Sequence, residues 1–388
     1  MKILQIIPFF YPAKMGTGPA YVAYNISKEL VKNGHEIIVY TSNSSDTDTK
    51  LSFRYRNFDG IKISYFDTLG KKIAWDNRLF ITPQMIIKLR KTVKEFDIIH
   101  LHDYRTFQNI IVWFYAKIYR VPYIIQAHGT TNMEEKKLIK YIFDIIIGNR
   151  LLKDAERLIA LSTKEVDLYK KMNIPIHKIS IVPNGIGCVR HNLTKGNFKG
   201  KYKINNNERL ILFVGRIHRI KGLEFLIRSF YNVLDSYPNV KLAIVGPKDN
   251  FYDQLTNIID KYKLTQHIIL TGYLEGVELY NAYIDSDFFV LPSIYDAFPI
   301  SVLEACSFGL PVIITENNGL VEWIENRAGI VVEYDNINQL TNAILTLLND
   351  QSLIDEYSDN GKKLIQNYFT WERITKNIEF VYSQIIKI

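Results

Sequence analysis

Five side chains in this 388-residue chain have types and spacings suited to gripping an anion and a polyol: His128, Arg216, Lys221, Asp296 and Glu304. Arg216 and Lys221 lie in Gly215-Arg216-Ile217-His218-Arg219-Ile220-Lys221-Gly222, five positions apart at the mouth of an expected helix. Two cations and a helix N-terminus acting on one charge suit a diphosphate, although basic loop residues are also commonly just solvated. Asp296 and Glu304 are separated by seven residues within Ser293 to Pro311. A carboxylate at Glu304 can accept from two hydroxyls at once, as a ribose diol presents them, and Asp296 from the hydroxyls of a second sugar. Backbone N–H groups of Phe298, Ile300 and Ser301, around Pro299, would line the loop between them. The structural alternative is that Ser301 caps the helix and Glu304 closes a capping box from its third position. His128 ends an apolar run and precedes Gly129, a placement from which it would donate to a sugar hydroxyl or carbonyl. His100 and His102 would share one strand face; with no third ligand evident, they read as polar lining rather than a metal site. Gly16-Thr17-Gly18 would let a backbone approach an anion at a helix N-terminus, or form a plain turn; it is not a G-x-G-x-x-G fingerprint.

These residues need strand ends to hold them, and the pattern supplies strands. Short apolar, β-branched runs occur at 2–7, 36–40, 97–101, 123–127, 158–161 and 179–182, with helical stretches between most of them, among them 20–33, 107–119 and 134–154. Runs without alternation predict strands buried on both faces, hence parallel sheets. Pro183-Asn184-Gly185 is a strong turn signal, and the polar, basic stretch 188–207 follows it. A second series then begins, with strands expected at 210–214, 242–245, 268–270, 288–291, 312–315 and 330–332. Helices are expected at 223–237, 253–263, 302–308, 337–349 and 371–388. The expected architecture is α/β, two doubly wound domains facing across a cleft, with ligands beyond the carboxyl ends of the strands.

Composition sets the outer limits. Hydrophobic residues are 47% and charged residues 23%, ordinary globular usage. Cys188 and Cys306 are too few for a disulfide framework or a zinc cluster. Ile3–Pro8 is too short for a signal-peptide core, and no run of about 18 apolar residues exists, so a cytoplasmic protein is expected. The net charge of +8 is uneven. Residues 1–180 hold 28 Lys and Arg against 17 Asp and Glu, whereas the remainder holds 20 against 23. A basic first half predicts an anionic partner or a merely solvated face. The cation-rich apolar run Lys136-Lys137-Leu138-Ile139-Lys140-Tyr141-Ile142-Phe143 could rest on anionic lipid or be an ordinary half-buried helix. Nothing in the charge pattern matches a nucleic-acid module, so no nucleic acid is expected.

Taken in order, these motifs resemble the retaining nucleotide-sugar glycosyltransferases of the GT-B fold, family 4. The resemblance runs through the loop Pro12 to Gly18, His128, Pro183-Asn184-Gly185, Gly215-Arg216 with Lys221-Gly222, and Val245-Gly246. It continues through Asp296, Glu304-Ala305, Gly309-Leu310-Pro311-Val312 and Phe369-Thr370-Trp371. It implies an N-terminal acceptor-binding domain of residues 1–187 plus 371–388, a donor-binding domain of 188–370, and a last helix crossing back. It implies that Arg216 and Lys221 hold the donor diphosphate, Glu304 the ribose hydroxyls, and Asp296 and His128 the transferred sugar. Gly16 would let the N-terminal loop close on phosphate or acceptor, Gly18 and Gly215 would count among the donor-binding residues, and residues near Gly246, Tyr273 and Leu274 would frame the base. The donor would be a UDP- or GDP-sugar, the acceptor a glycan or polyprenyl-linked glycan, and no metal or other cofactor would be needed. Two positions depart from the family pattern: Asp296 stands where Glu is usual, and Thr17 separates glycines that are commonly adjacent. A same-fold phosphorylase, a sugar-nucleotide epimerase and a non-catalytic partner subunit are the competing readings.

Overall fold

The computed structural model describes residues 1–12, 18–45, 49–70, 80–131, 137–187 and 193–386. Its contacts divide the chain into two compact units, Met1–Gly185 with Trp371–Ile388, and Ile186–Thr370.

The first unit is built on β1 (Lys2–Ile6), β2 (Glu36–Ser42), β3 (Tyr55–Phe58), β4 (Ile61–Phe66), β5 (Ile98–His102), β6 (Tyr123–Gln126), β7 (Arg157–Ala160) and β8 (Ile179–Ile181). They form one sheet in the order β3-β4-β2-β1-β5-β6-β7-β8. Every pairing is parallel except β3 with β4. The central strands are buried along their length, as continuous apolar runs require when helices cover both faces. Strand order reverses between β1 and β5, where Gln5 stands beside His100 in register. The closing helix Trp371–Ile385 belongs to this unit and packs on the helix Gly18–Lys32, with Trp371 edge-on to Tyr21 at 5.8 Å.

The second unit holds β9 (Arg209–Val214), β10 (Val240–Val245), β11 (Ile268–Gly272), β12 (Phe288–Leu291), β13 (Val312–Thr315) and β14 (Gly329–Val332). The order is β11-β10-β9-β12-β13-β14, all parallel. Here the reversal falls between β9 and β12. Loops leaving these two strands splay apart at their carboxyl ends, which is where open α/β sheets take ligands. Ion-handling residues in the 215–222 and 293–304 segments therefore emerge at one place.

Candidate functional site

After β9 the chain turns through a single 3₁₀ turn, Arg219–Lys221, closed by Gly222 before the helix Leu223–Ser236 starts. Gly222 has φ +68°, and a Cβ there would stand 1.9 Å from the Pro292 carbonyl oxygen, so only glycine fits. Pro292 follows β12. This contact presses the two loops together and brings Lys221 onto Asp296, Nζ to Oδ2 at 2.5 Å, with both side chains more than four-fifths buried. Asp296 is tied further by its backbone: its carbonyl accepts from Gly319 N at 2.9 Å, in the loop after β13. Arg216 is more exposed and pairs with Asp249, beyond β10, at 3.1 Å. Gly215 and Gly246 meet backbone to backbone, since a Cβ on Gly246 would stand 1.8 Å from the Gly215 carbonyl oxygen.

The helix Ile300–Ser307 begins after Pro299, which occupies the N-cap. Ser301 is thus inside the first turn and Glu304 is the fifth helical residue, so the capping-box alternative is excluded by register. Ile300 and Ser301 place their N–H groups in the first turn, where the helix supplies no carbonyl to them. Glu304 Oε2 accepts from the Tyr283 hydroxyl at 2.7 Å, and Tyr283 stacks on Phe308 at 5.2 Å. Burial pushes the Glu304 carboxyl up to about 7. Phe298 is buried and tilts against Phe369 at 5.8 Å. Tyr273 is exposed, its hydroxyl donating to Glu275 at 3.2 Å, whereas Leu274 is buried and shares a small pocket with Phe198 and Tyr202.

In the first unit, Gly16 lies outside the described residues. Gly18 opens the helix Gly18–Lys32, and among the described residues nothing stands within 4 Å of where a Cβ would lie. His128 follows β6 with φ +52°, a left-handed conformation uncommon for a non-glycine residue. The turn is pinned by Gly129 N donating to buried Glu165 at 2.9 Å, whose other oxygen takes Leu161 N at 2.8 Å. His128 Nε2 bonds His102 Nδ1 at 3.0 Å, and His100 Nδ1 bonds the Tyr382 hydroxyl at 2.8 Å. Each of these three rings is engaged with a neighbour. Loss of hydration holds His128 and His100 at about 3, so they are neutral.

The structure therefore joins Lys221 to Asp296 and Gly215 to Gly246, and it gives Arg216 and Glu304 partners that sequence reasoning missed. Asp249 lies just past a strand end, so the strand-end rule would have found it. Tyr283 reaches Glu304 from the neighbouring helix Gly276–Asp285, and no spacing announces it.

Two family models match the chain. "Glycosyltransferase Family 4" matches residues 16–190, and "Glycosyl transferases group 1" matches 194–364. Between them they take in every strand but β1 and every candidate site residue from Gly16 to Glu304. The chain belongs to the GT-B glycosyltransferases of the family 4 type. This glycosyltransferase is 28% identical to an uncharacterized glycosyltransferase of Methanocaldococcus jannaschii, over 99% of this chain and 98% of that one. It is 25% identical to the UDP-Gal:alpha-D-GlcNAc-diphosphoundecaprenol alpha-1,3-galactosyltransferase of Escherichia coli, over 84% and 85% of the two chains. The fold matches HepE of Anabaena, solved with UDP and glucose, with a TM-score of 0.78 over 99% of this chain and 100% of that one, at 18% identity.

Proposed function

We propose that this glycosyltransferase moves a sugar from a UDP- or GDP-sugar onto a glycan or polyprenyl-linked acceptor with retention of anomeric configuration. The observation that carries this reading is the Lys221–Asp296 pair at the strand-order reversal of the second sheet. A donor diphosphate would take Lys221 away from Asp296, and the freed carboxylate would then accept from a hydroxyl of the transferred sugar. Arg216 would share the phosphate charge, and Glu304 would hold the ribose diol. Positive charge beside the departing diphosphate lowers the barrier to an oxocarbenium-like state, and front-face attack by the acceptor completes retention. In this reading Arg216 and Lys221 do the electrostatic work that a metal does elsewhere, so a chelator leaves turnover unchanged. Names of relatives support the donor and acceptor classes: the E. coli enzyme uses UDP-Gal and a diphosphoundecaprenol acceptor, and HepE was solved with UDP.

A thermal-shift panel of UDP-, GDP- and ADP-sugars tests this, because a ligand that binds only the folded state raises Tm by mass action. One nucleotide class is expected to stand out, and Arg216→Ala with Lys221→Ala to abolish its shift. A shift that survives the double change refutes the phosphate assignment.

The same proposal places the enzyme on an anionic membrane surface. No described helix is long and apolar enough to cross a membrane. The helical run Lys137–Phe143, Asp144–Gly148 and Asn149–Asp154 has its polarity reversed. Asp144 faces inward and pairs with Arg105 at 2.7 Å, while Leu138, Ile139, Tyr141, Ile142, Ile145 and Ile146 are 47–71% exposed. Arg150 and Lys153 are exposed on the same run. An apolar outer face with cations suits insertion at the headgroup boundary. Vesicles containing an anionic phospholipid should float the protein, neutral ones should not, and Leu138→Ser with Ile142→Ser should end flotation. Equal flotation on both vesicle types would remove the anionic surface from the proposal, and no flotation on either would remove the membrane.

A further inference from the structure

His128 stands in a line of three hydrogen-bonding groups that the strand-order reversal of the first sheet brings together. Gln5 is on β1, His102 ends β5, and His128 follows β6. Gln5 and His102 are fully buried. Gln5 Oε1 is 3.1 Å from His102 Nε2, and His102 Nδ1 is 3.0 Å from His128 Nε2. The rings of His102 and His128 are near-parallel, 12° apart with centroids at 5.3 Å. His100 stacks on His102 with ring centroids 4.2 Å apart and is held by Tyr382.

We propose that Gln5 and His102 act as positioning residues that fix which ring nitrogen of His128 carries hydrogen, so that His128 offers its partner a bare Nδ1. A neutral imidazole has one N–H and one lone pair. An amide oxygen only accepts, so His102 carries its hydrogen on Nε2, facing Gln5. His102 Nδ1 is then a lone pair and must accept from His128 Nε2–H. That leaves His128 Nδ1 without hydrogen. Burial keeps all three rings neutral, which removes the escape of a doubly protonated ring. Turning the Gln5 amide over would reverse every bond in the line, so a residue that does not touch His128 decides its polarity.

The consequence is a preference in the ligand. The inference rests on reading His128 as a contact to the transferred sugar. A bare Nδ1 accepts from a sugar hydroxyl and gives nothing to a carbonyl or a carboxylate. The position facing His128 should therefore be a hydroxyl, and replacing it with hydrogen or a carboxylate should be penalised. This reverses the donor role expected for His128 from sequence.

The test is ¹⁵N-histidine NMR on the full chain, with His128→Asn to assign the His128 signals. The wild type should show protons on Nε2 of both His102 and His128, with a coupling across the N–H···N bond between them. Protons on Nδ1 of both rings, or no such coupling, would overturn the proposal without any variant. Gln5→Glu supplies a second arm. A buried carboxylate beside His102 should bring its titration up into the range of about pH 5–8 and move the His128 signals with it. A His128 spectrum indifferent to Gln5→Glu, in a protein with wild-type Tm, also overturns it. If the spectra agree but His128→Asn turns over normally, the relay stands and the sugar contact fails.

Discussion

At the scale of single residues, Glu304 would couple donor binding to pH through its proposed ribose contact. Its ordinary value is 4.5, and burial lifts it to about 7 against the Tyr283 hydrogen bond, which pulls it down. Ribose hydroxyls donate best to the ionised form, so donor binding through Glu304 would expel a proton. Affinity for the UDP- or GDP-sugar should rise as pH is raised through about 7 and level off above it, where an ordinary glutamate would already be level. By the same linkage, the ligand-free fold loses stability as pH climbs from 4.5 to about 7, since the folded carboxyl holds its proton longer than the unfolded one. Calorimetric titrations in buffers of different ionisation enthalpy would read the released proton directly. Glu304→Gln should flatten the profile, and Tyr283→Phe should move its midpoint further up and weaken binding at pH 7 by about tenfold. A flat wild-type profile would show that Glu304 does not meet the ribose. Asp296 gives a second prediction of opposite sign. In the proposed reading it competes with phosphate for Lys221, so Asp296→Ala should tighten UDP itself about two- to tenfold while lowering transfer. Unchanged or weaker UDP binding would mean that Lys221 does not change partners. Glu304 was legible as a candidate because the spacing from Asp296 is a sequence property. Its perturbation was not, because burial and Tyr283 exist only after folding.

At the scale of elements, the loops that carry these residues depend on glycines set against backbone. Gly246 meets the Gly215 carbonyl and Gly222 the Pro292 carbonyl, and neither neighbour can swing away as a side chain would. Gly222→Ala should cost at least about 1–3 kcal/mol from its positive φ alone. Gly246→Ala should force the turns after β9 and β10 apart and erase the nucleotide-dependent Tm shift. Gly187→Ala meets nothing within 4 Å among the described residues and should be silent. Wild-type Tm and donor shift in Gly246→Ala would show that the close approach is not required. The same elements show what periodicity can and cannot deliver. Strands β1, β2 and β5 to β14 were visible as short runs rich in apolar residues, which the central strands owe to burial on both faces; the edge strands β8 and β11 are only partly buried yet keep enough isoleucine and leucine to show. Strands β3 and β4 were not: β3 is the sheet's antiparallel edge, its four residues all at least partly exposed, and β4 mixes Lys62 and Ser64 among its apolar positions. The helix Gln351–Tyr368 escaped for a similar reason, since it buries only one stripe beneath a largely polar surface.

At the scale of the whole molecule, the chain leaves its first unit once and returns once, and the two crossings are laced together. Ile186 N donates to Phe369 O at 2.7 Å, and Ile186 and Thr370 form an isolated parallel bridge. Immediately on either side, Gly185 and Trp371 are in contact, for a Cβ on Gly185 would stand 2.7 Å from the Trp371 ring. Trp371 is 5% exposed and starts the helix that covers Gly18–Lys32. It is therefore the point at which the returning segment is fastened to a unit that the chain left at Gly185. Trp371→Ala should cost about 3–5 kcal/mol, the usual penalty for emptying a buried tryptophan site. The loss should be local. Hydrogen exchange should quicken together in 18–32 and 371–385 while β9 to β14 keep their protection, and the nucleotide-dependent shift should persist, because every residue assigned to phosphate and ribose belongs to the other unit. Exchange that quickens equally in both sheets would show that the closing helix supports the whole chain rather than one unit of it.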